Sequence, residues 1–339
     1  MFTRRAFLKS GGFAPGSFYA GANPLFNGLE MLREKRKVLV TVFQRGGMDG
    51  LMAVSPLRDP WLKKMRPQLT MFPGRRGGDN ALIDLEGKFG LHPAFTPLAQ
   101  HYKEGKLAVI HGVGSPHVTR SHPDAQKHME KNFTSLNEQL LGNTRRETFE
   151  AMRVLSKNEL RAYQPADGVE YPRSPLGDSL KQIAALIKAH VGLEIAFAES
   201  TGWDTHVQQG TADGTFAQKA KDLSSSISAF WTDIERHQDE VVVMTTTEFG
   251  RTVHENSSRG TDHGRASCLF VLGNHVDGGK VHGTIPELDP DALQDGRDLP
   301  VTKDFRAVFS EVAYKHLGVG KDHILFPGWS GDRIALMQS

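Results

Sequence analysis

Residues 37–50 read Lys37-Val38-Leu39-Val40-Thr41-Val42-Phe43-Gln44-Arg45-Gly46-Gly47-Met48-Asp49-Gly50. A short apolar run with three valines gives way to a loop in which glycines surround one carboxylate. This pattern predicts a buried strand over Lys37 to Phe43 that ends at a turn. Similar runs occur at Lys106 to His111, Leu193 to Ala198, Glu240 to Thr246 and Ala266 to Leu272. The first three of these are followed at once by loops rich in Gly, Ser, Thr, Asp or His; the last is preceded by one.

Helix-length amphipathic stretches fill the gaps, at Ala94 to Glu104, Pro175 to His190, Phe216 to His237 and Lys303 to His316. In the second, Leu176, Leu180, Ile183, Ala184 and Ile187 recur at helical spacing, which predicts a face laid against a sheet. Short strands alternating with such helices predict an α/β fold, with a mostly parallel central sheet covered by helices on both faces. Residues 23–339 read as a single domain of this kind. Residues 131–172 are polar and weakly periodic and predict an inserted helical cap or arm, and Asp277 to Pro300 predicts a long loop. Ligands of open parallel sheets sit beyond the carboxyl ends of the strands, so chemistry is sought in the loops just after them.

At the N-terminus, Thr3-Arg4-Arg5-Ala6-Phe7-Leu8-Lys9 spells a twin-arginine address, which is read by the translocase and is not an anchor. The apolar stretch behind it, Gly11 to Tyr19, is interrupted by Pro15 and too short to span a bilayer. Ala20-Gly21-Ala22 then supplies small residues for cleavage. Residues 1–22 are therefore expected to be a signal peptide, and the body to be periplasmic or otherwise extracytoplasmic, exported folded. Removing Arg4, Arg5 and Lys9 takes the formal charge from +2 to −1. A body so close to neutral gives no electrostatic case for nucleic acid or anionic membranes, and no later run is apolar enough to span one. The single Cys268 excludes an intrachain disulfide and a cysteine-rich metal site, and lies in a strand-like run as a small core residue. Four Trp and five Tyr, none clustered, offer no platform for carbohydrate.

Four loops concentrate oxygen and imidazole groups. In Gly46 to Gly50, Asp49 stands among glycines, a pattern that also makes an ordinary turn. In Gly202-Trp203-Asp204-Thr205-His206, Asp204 and His206 can converge on one cation, with Trp203 walling the site from water; a capping Asp beside a surface His is the plainer alternative. Glu248, after Val241 to Val243, is costly at the tip of a buried strand unless it is paired or metal-bound, and Arg251 is its obvious ion-pair partner. Asp262 and His263 precede the strand Ala266 to Leu272. Together these favour a site for zinc, magnesium, manganese or calcium, built from carboxylates and imidazoles. Ser121, in Arg120-Ser121-His122-Pro123-Asp124, reads as a helix N-cap in a position that also suits a nucleophile facing a phosphate or sulfate.

The twin-arginine start, Gly46 to Gly50, Leu91-His92-Pro93, Arg120-Ser121-His122 with Asp124-Ala125-Gln126, Gly202 to His206, Glu248 to Thr252, Asp262-His263 and Pro300-Val301-Thr302 together resemble the family known as domain of unknown function 1501. That family looks like a branch of the alkaline-phosphatase-like superfamily of phosphatases, sulfatases and cofactor-independent phosphoglycerate mutases. The resemblance implies two divalent ions above a parallel sheet and a nucleophile at a helix start. It makes Asp49 the metal-binding Asp of the first strand and Ser121 the nucleophile. Asp204 and His206 become the pair that shares one metal, and His263 the later His. Glu248-Phe249 stands where relatives usually carry an Asp-His pair, Asp204 and His206 are closer together than usual, and Pro123 replaces a commoner Phe. The expected activity is metal-dependent hydrolysis of an anionic phosphate or sulfate ester. In it Ser121 attacks and Arg120 or Arg251 clamps the anion. The alternative is a non-catalytic binding or assembly module of the cell envelope.

Overall fold

The computed structural model describes residues 37–74, 78–116, 162–319, 325–326 and 328–338. The twin-arginine segment, Arg120, Ser121 and most of the expected insertion lie outside the described residues.

In chain order, β1 (Val38–Arg45) leads into the one-turn helix α1 (Gly50–Ala53). Next come β2 (Val54–Pro56), α2 (Leu62–Met65), β3 (Ile83–Leu85), β4 (Phe89–Leu91), α3 (Thr96–Lys103) and β5 (Leu107–Gly114). After residue 161 follow α4 (Pro175–Lys188), β6 (Ile195–Thr201), α5 (Thr215–Asp233) and β7 (Val241–Thr247). The chain closes with β8 (Arg251–Glu255), β9 (Thr261–His263), β10 (Ser267–Leu272), β11 (Val281–His282), β12 (Lys303–Asp304) and α6 (Phe305–Lys315).

The seven-stranded central sheet has the order β11-β5-β10-β7-β1-β6, with β12 also on β5. It is mixed and mostly parallel: β1 pairs parallel with β6 and β7, and β11 and β12 pair parallel with β5. β10 runs antiparallel between β5 and β7. That reversal brings the amino end of β10 to the edge where its neighbours have their carboxyl ends. The short strand β9 with Asp262 and His263, which precedes β10 in sequence, thereby reaches the same rim as the loops that follow the parallel strands.

Strand period sorts the core. Val38, Val40 and Val42 of β1 pack with α3, α4 and α5, while Leu39 and Phe43 pack with α6 on the other face. α4 begins where Ser174 Oγ accepts from the Gly177 N–H at 3.0 Å, with Pro175 in the first turn, and it buries the five residues whose spacing predicted it. α6 starts at Phe305, two residues after the expected Lys303, because Asp304 caps it by accepting from the Arg306 N–H at 2.9 Å. The small sheet β2-β4-β3 and the hairpin β8-β9 are additions whose strands, three to five residues long, were not announced in the sequence.

Asp233 fastens the segment that leads into α4. Its buried carboxylate accepts from Tyr163 Oη at 2.9 Å, Tyr171 Oη at 2.8 Å, the Ala166 N–H at 2.8 Å and Lys188 Nζ at 2.5 Å. Burial works to raise this carboxyl's pKa, but the four donors outweigh it and hold it below the usual range. Asp233→Ala is expected to destabilise the protein by about 2 kcal/mol, since several donors lose their acceptor and water replaces it in part. Urea unfolding checks this, and an unchanged midpoint would show that the clasp adds nothing.

Candidate metal centre

Two left-handed glycines shape the turn after β1, Gly46 at φ 113° and Gly47 at φ 80°. Their N–H groups converge on Glu248 at the end of β7, at 3.0 Å and 3.1 Å from Oε2. Burial pushes the Glu248 carboxyl above its ordinary pKa, and the two amides oppose that. The expected Glu248–Arg251 ion pair is replaced by these amides. Glu248 faces a small cleft at the carboxyl ends of β5 and β7, with Ser115, Thr246 and Phe249 among its walls.

Arg251 is fully buried and acts as a tie beneath the rim. Nε donates to the Gly47 carbonyl at 2.8 Å, Nη1 to the Thr261 carbonyl at 2.9 Å, and Nη2 to the carbonyls of Gly46 and Trp203 and to Asp204 Oδ1. With its donors spent on three loops, the guanidinium has little left to clamp an anion, the role expected of it from sequence. Trp203 does not wall the site either. Its ring is buried edge-on against Phe216, with Nε1 donating to Ser200 Oγ at 3.0 Å.

Asp49 is the second expected ligand that the fold uses otherwise. Oδ1 caps α1 by accepting from the Met52 N–H at 3.2 Å. Oδ2 accepts from Arg66 Nη1 and from Gln209 Nε2, each at 2.8 Å. Arg66 and Asp49 are each 1% exposed, and Arg66 also donates to the carbonyls of Val253 at 2.8 Å and Thr252 at 2.7 Å. Gln209 Oε1 in turn accepts from the hydroxyls of Thr205 and Thr261, both at 2.8 Å. A buried chain of contacts thus runs from Arg66 through Asp49 and Gln209 to the two threonines beside the remaining candidates.

Those candidates do converge. Asp204, His206 and His263 each offer one ligand atom, and these atoms all lie within 4.8 Å of one another. Asp204 Oδ1 lies 3.1 Å from His206 Nε2 and 3.0 Å from His263 Nε2. The two rings tilt together at 4.7 Å between centroids, and Phe249 backs His263 at 4.2 Å. Side-chain exposures of 56%, 38% and 37% leave the group open to an ion and to solvent. Burial works to raise the Asp204 carboxyl, but hydrogen bonds from His263 and Arg251 and the charge of Arg251 outweigh it and keep it below the usual range. Burial, only partly opposed by Asp204, lowers His263, which favours the neutral imidazole that a metal needs.

Asp262 stands behind this group. Its Oδ1 lies 3.0 Å from His206 Nδ1, the ring nitrogen turned away from Asp204, and accepts from Asn256 Nδ2 at 3.1 Å. A neutral His206 has one N–H and so can donate to only one of its two carboxylates. A cation shared by Nε2 and Asp204 would remove that conflict, and the donor set suits zinc or manganese, with positions left for water or an oxyanion. Sequence reading missed Arg66, Gln209 and Asn256; a lone Arg, Gln or Asn outside any motif carries no signal of what it touches across the fold.

No curated protein matches the chain. A family model described as "Protein of unknown function (DUF1501)" matches residues 95–319, a span that takes in all three convergent side chains and most of the central sheet, and the chain therefore belongs to that family.

Proposed function

We propose that this protein is a metal-dependent hydrolase of phosphate or sulfate esters that works outside the cytoplasm, with Asp204, His206 and His263 holding a divalent ion. The observation that carries the reading is the convergence of one carboxylate and two imidazoles, open to solvent, at the strand ends where α/β sheets bind ligands. A bound ion there would supply charge stabilisation for the transferred group and activation of a nucleophile. Asp204, His206 and His263 bind the ion, Phe249 packs against His263, and Arg251 holds the rim loops in register. Ser121 is proposed as the nucleophile and Arg120 as the anion clamp, on the sequence motif alone. The export proposal rests on Arg4 and Arg5, and among the described residues no helix is long and apolar enough to cross a membrane.

The test uses the purified mature chain supplied with zinc, manganese or magnesium and offered activated aryl phosphate and sulfate esters. Turnover by the wild type is expected, with Ser121→Ala abolishing it while metal content and fold persist. As a cap alone, Ser121 would cost only about 1 kcal/mol of stability on replacement. Wild-type inactivity across phosphate, phosphodiester, phosphonate and sulfate esters, with the ion bound, would favour the binding-module alternative.

A further inference from the structure

The contacts of Asp262 assign it a role distinct from that of a ligand. We infer that Asp262 is a positioning residue, which holds His206 with Nδ1 protonated so that the Nε2 lone pair is presented to an ion beside Asp204. The inference rests on the metal reading above. Asp262 Oδ1 is 3.0 Å from Nδ1, whereas Asp204 Oδ1 faces Nε2 of the same ring at 3.1 Å, so the two carboxylates address opposite edges of one imidazole. A carboxylate behind a metal-binding histidine fixes its tautomer and orientation and increases its basicity.

Asp262 is itself held. Asn256 Oδ1 accepts from the N–H groups of Ser258 at 2.9 Å and Gly260 at 3.1 Å, which fixes which way the amide points. Its Nδ2 is thereby directed at Asp262 Oδ1, at 3.1 Å, and at the His206 carbonyl, at 2.9 Å. The Asp262 N–H adds a bond to Thr252 Oγ1 at 3.1 Å. Both the carboxylate and the backbone of His206 are thus locked by one amide, and Asp262 reaches the rim through His206.

Cobalt(II) and zinc titrations of the full mature chain distinguish a positioning residue from a ligand, because cobalt absorption reports the ligand set and affinity reports its preparation. Asp262 is half exposed, so Asp262→Ala should fold, and melting of the metal-free protein verifies it. Its affinity is expected to fall about ten- to hundredfold, while at saturating cobalt the absorption bands match wild type. Asp262→Asn should lose less, since its amide oxygen still accepts from Nδ1. Altered bands in saturated Asp262→Ala would make Asp262 a ligand and overturn the inference, as would unchanged affinity. A wild type that binds neither ion would instead overturn the metal reading beneath it.

Discussion

Asp49→Ala is expected to destabilise the protein by about 3–5 kcal/mol, because it strands the Arg66 guanidinium in the interior. Both side chains are 1% exposed, so water cannot take over the role of the lost carboxylate. The backbone carbonyls of Val253 and Thr252 still accept from Arg66, but they do not neutralise it. Gln209 also loses its acceptor, and α1 loses its cap. Asp49→Asn should cost less, since it keeps the shape and an acceptor oxygen. Replacing the pair together, as Asp49→Leu with Arg66→Met, should recover part of the loss, the behaviour of a buried ion pair exchanged for apolar groups. Urea unfolding of the three variants measures this, and a loss under about 1 kcal/mol for Asp49→Ala would show that the pair is not buried as described. Metal affinity gives a second readout. Asp49→Asn should bind zinc about as well as wild type, because Asp49 stands outside the convergent group.

His206→Ala and His263→Ala are each expected to weaken zinc binding by about a hundredfold or more. Zinc sites with four protein ligands gain roughly 10–16 kcal/mol at neutral pH, so the loss of one ligand removes a few kcal/mol. The same ion should stabilise the wild type by mass action, by about 2.7 kcal/mol at a free concentration a hundred times the Kd. Adding a strong chelator should therefore lower the wild-type Tm, and leave the Tm of metal-free His263→Ala unmoved. A chelator without effect on wild-type protein known to have been loaded would remove the stabilising ion from this account.

The five longer strands of the central sheet and the four longer helices were legible because each depends on local period. The residues of β1 alternate between two cores, Val38, Val40 and Val42 on one and Leu39 and Phe43 on the other, and the spacing from Leu176 to Ile187 lays one helical face inward. The direction of β10 was not legible, since an apolar strand reads the same either way; only its neighbours β5 and β7 make it antiparallel. Among candidate residues, Asp204, His206 and His263 came together as loop composition suggested. Asp49 and Glu248 looked like ligands because a carboxylate near a buried strand end needs a partner, and sequence does not say which. The fold supplies Arg66 and Gln209 to the first and the amides of Gly46 and Gly47 to the second. Arg251, three residues from Glu248, looked like an ion-pair partner by proximity in sequence. The turn at Phe249-Gly250 carries it under the rim to Asp204.

The most direct test of the central claim is the number and place of bound ions, read from an anomalous difference map of crystals grown with zinc. One peak per chain, among Asp204 Oδ1, His206 Nε2 and His263 Nε2, is the predicted result, with no second peak at Asp49 or Glu248. A map with no peak at the three convergent side chains, in protein whose zinc content is confirmed, would contradict it.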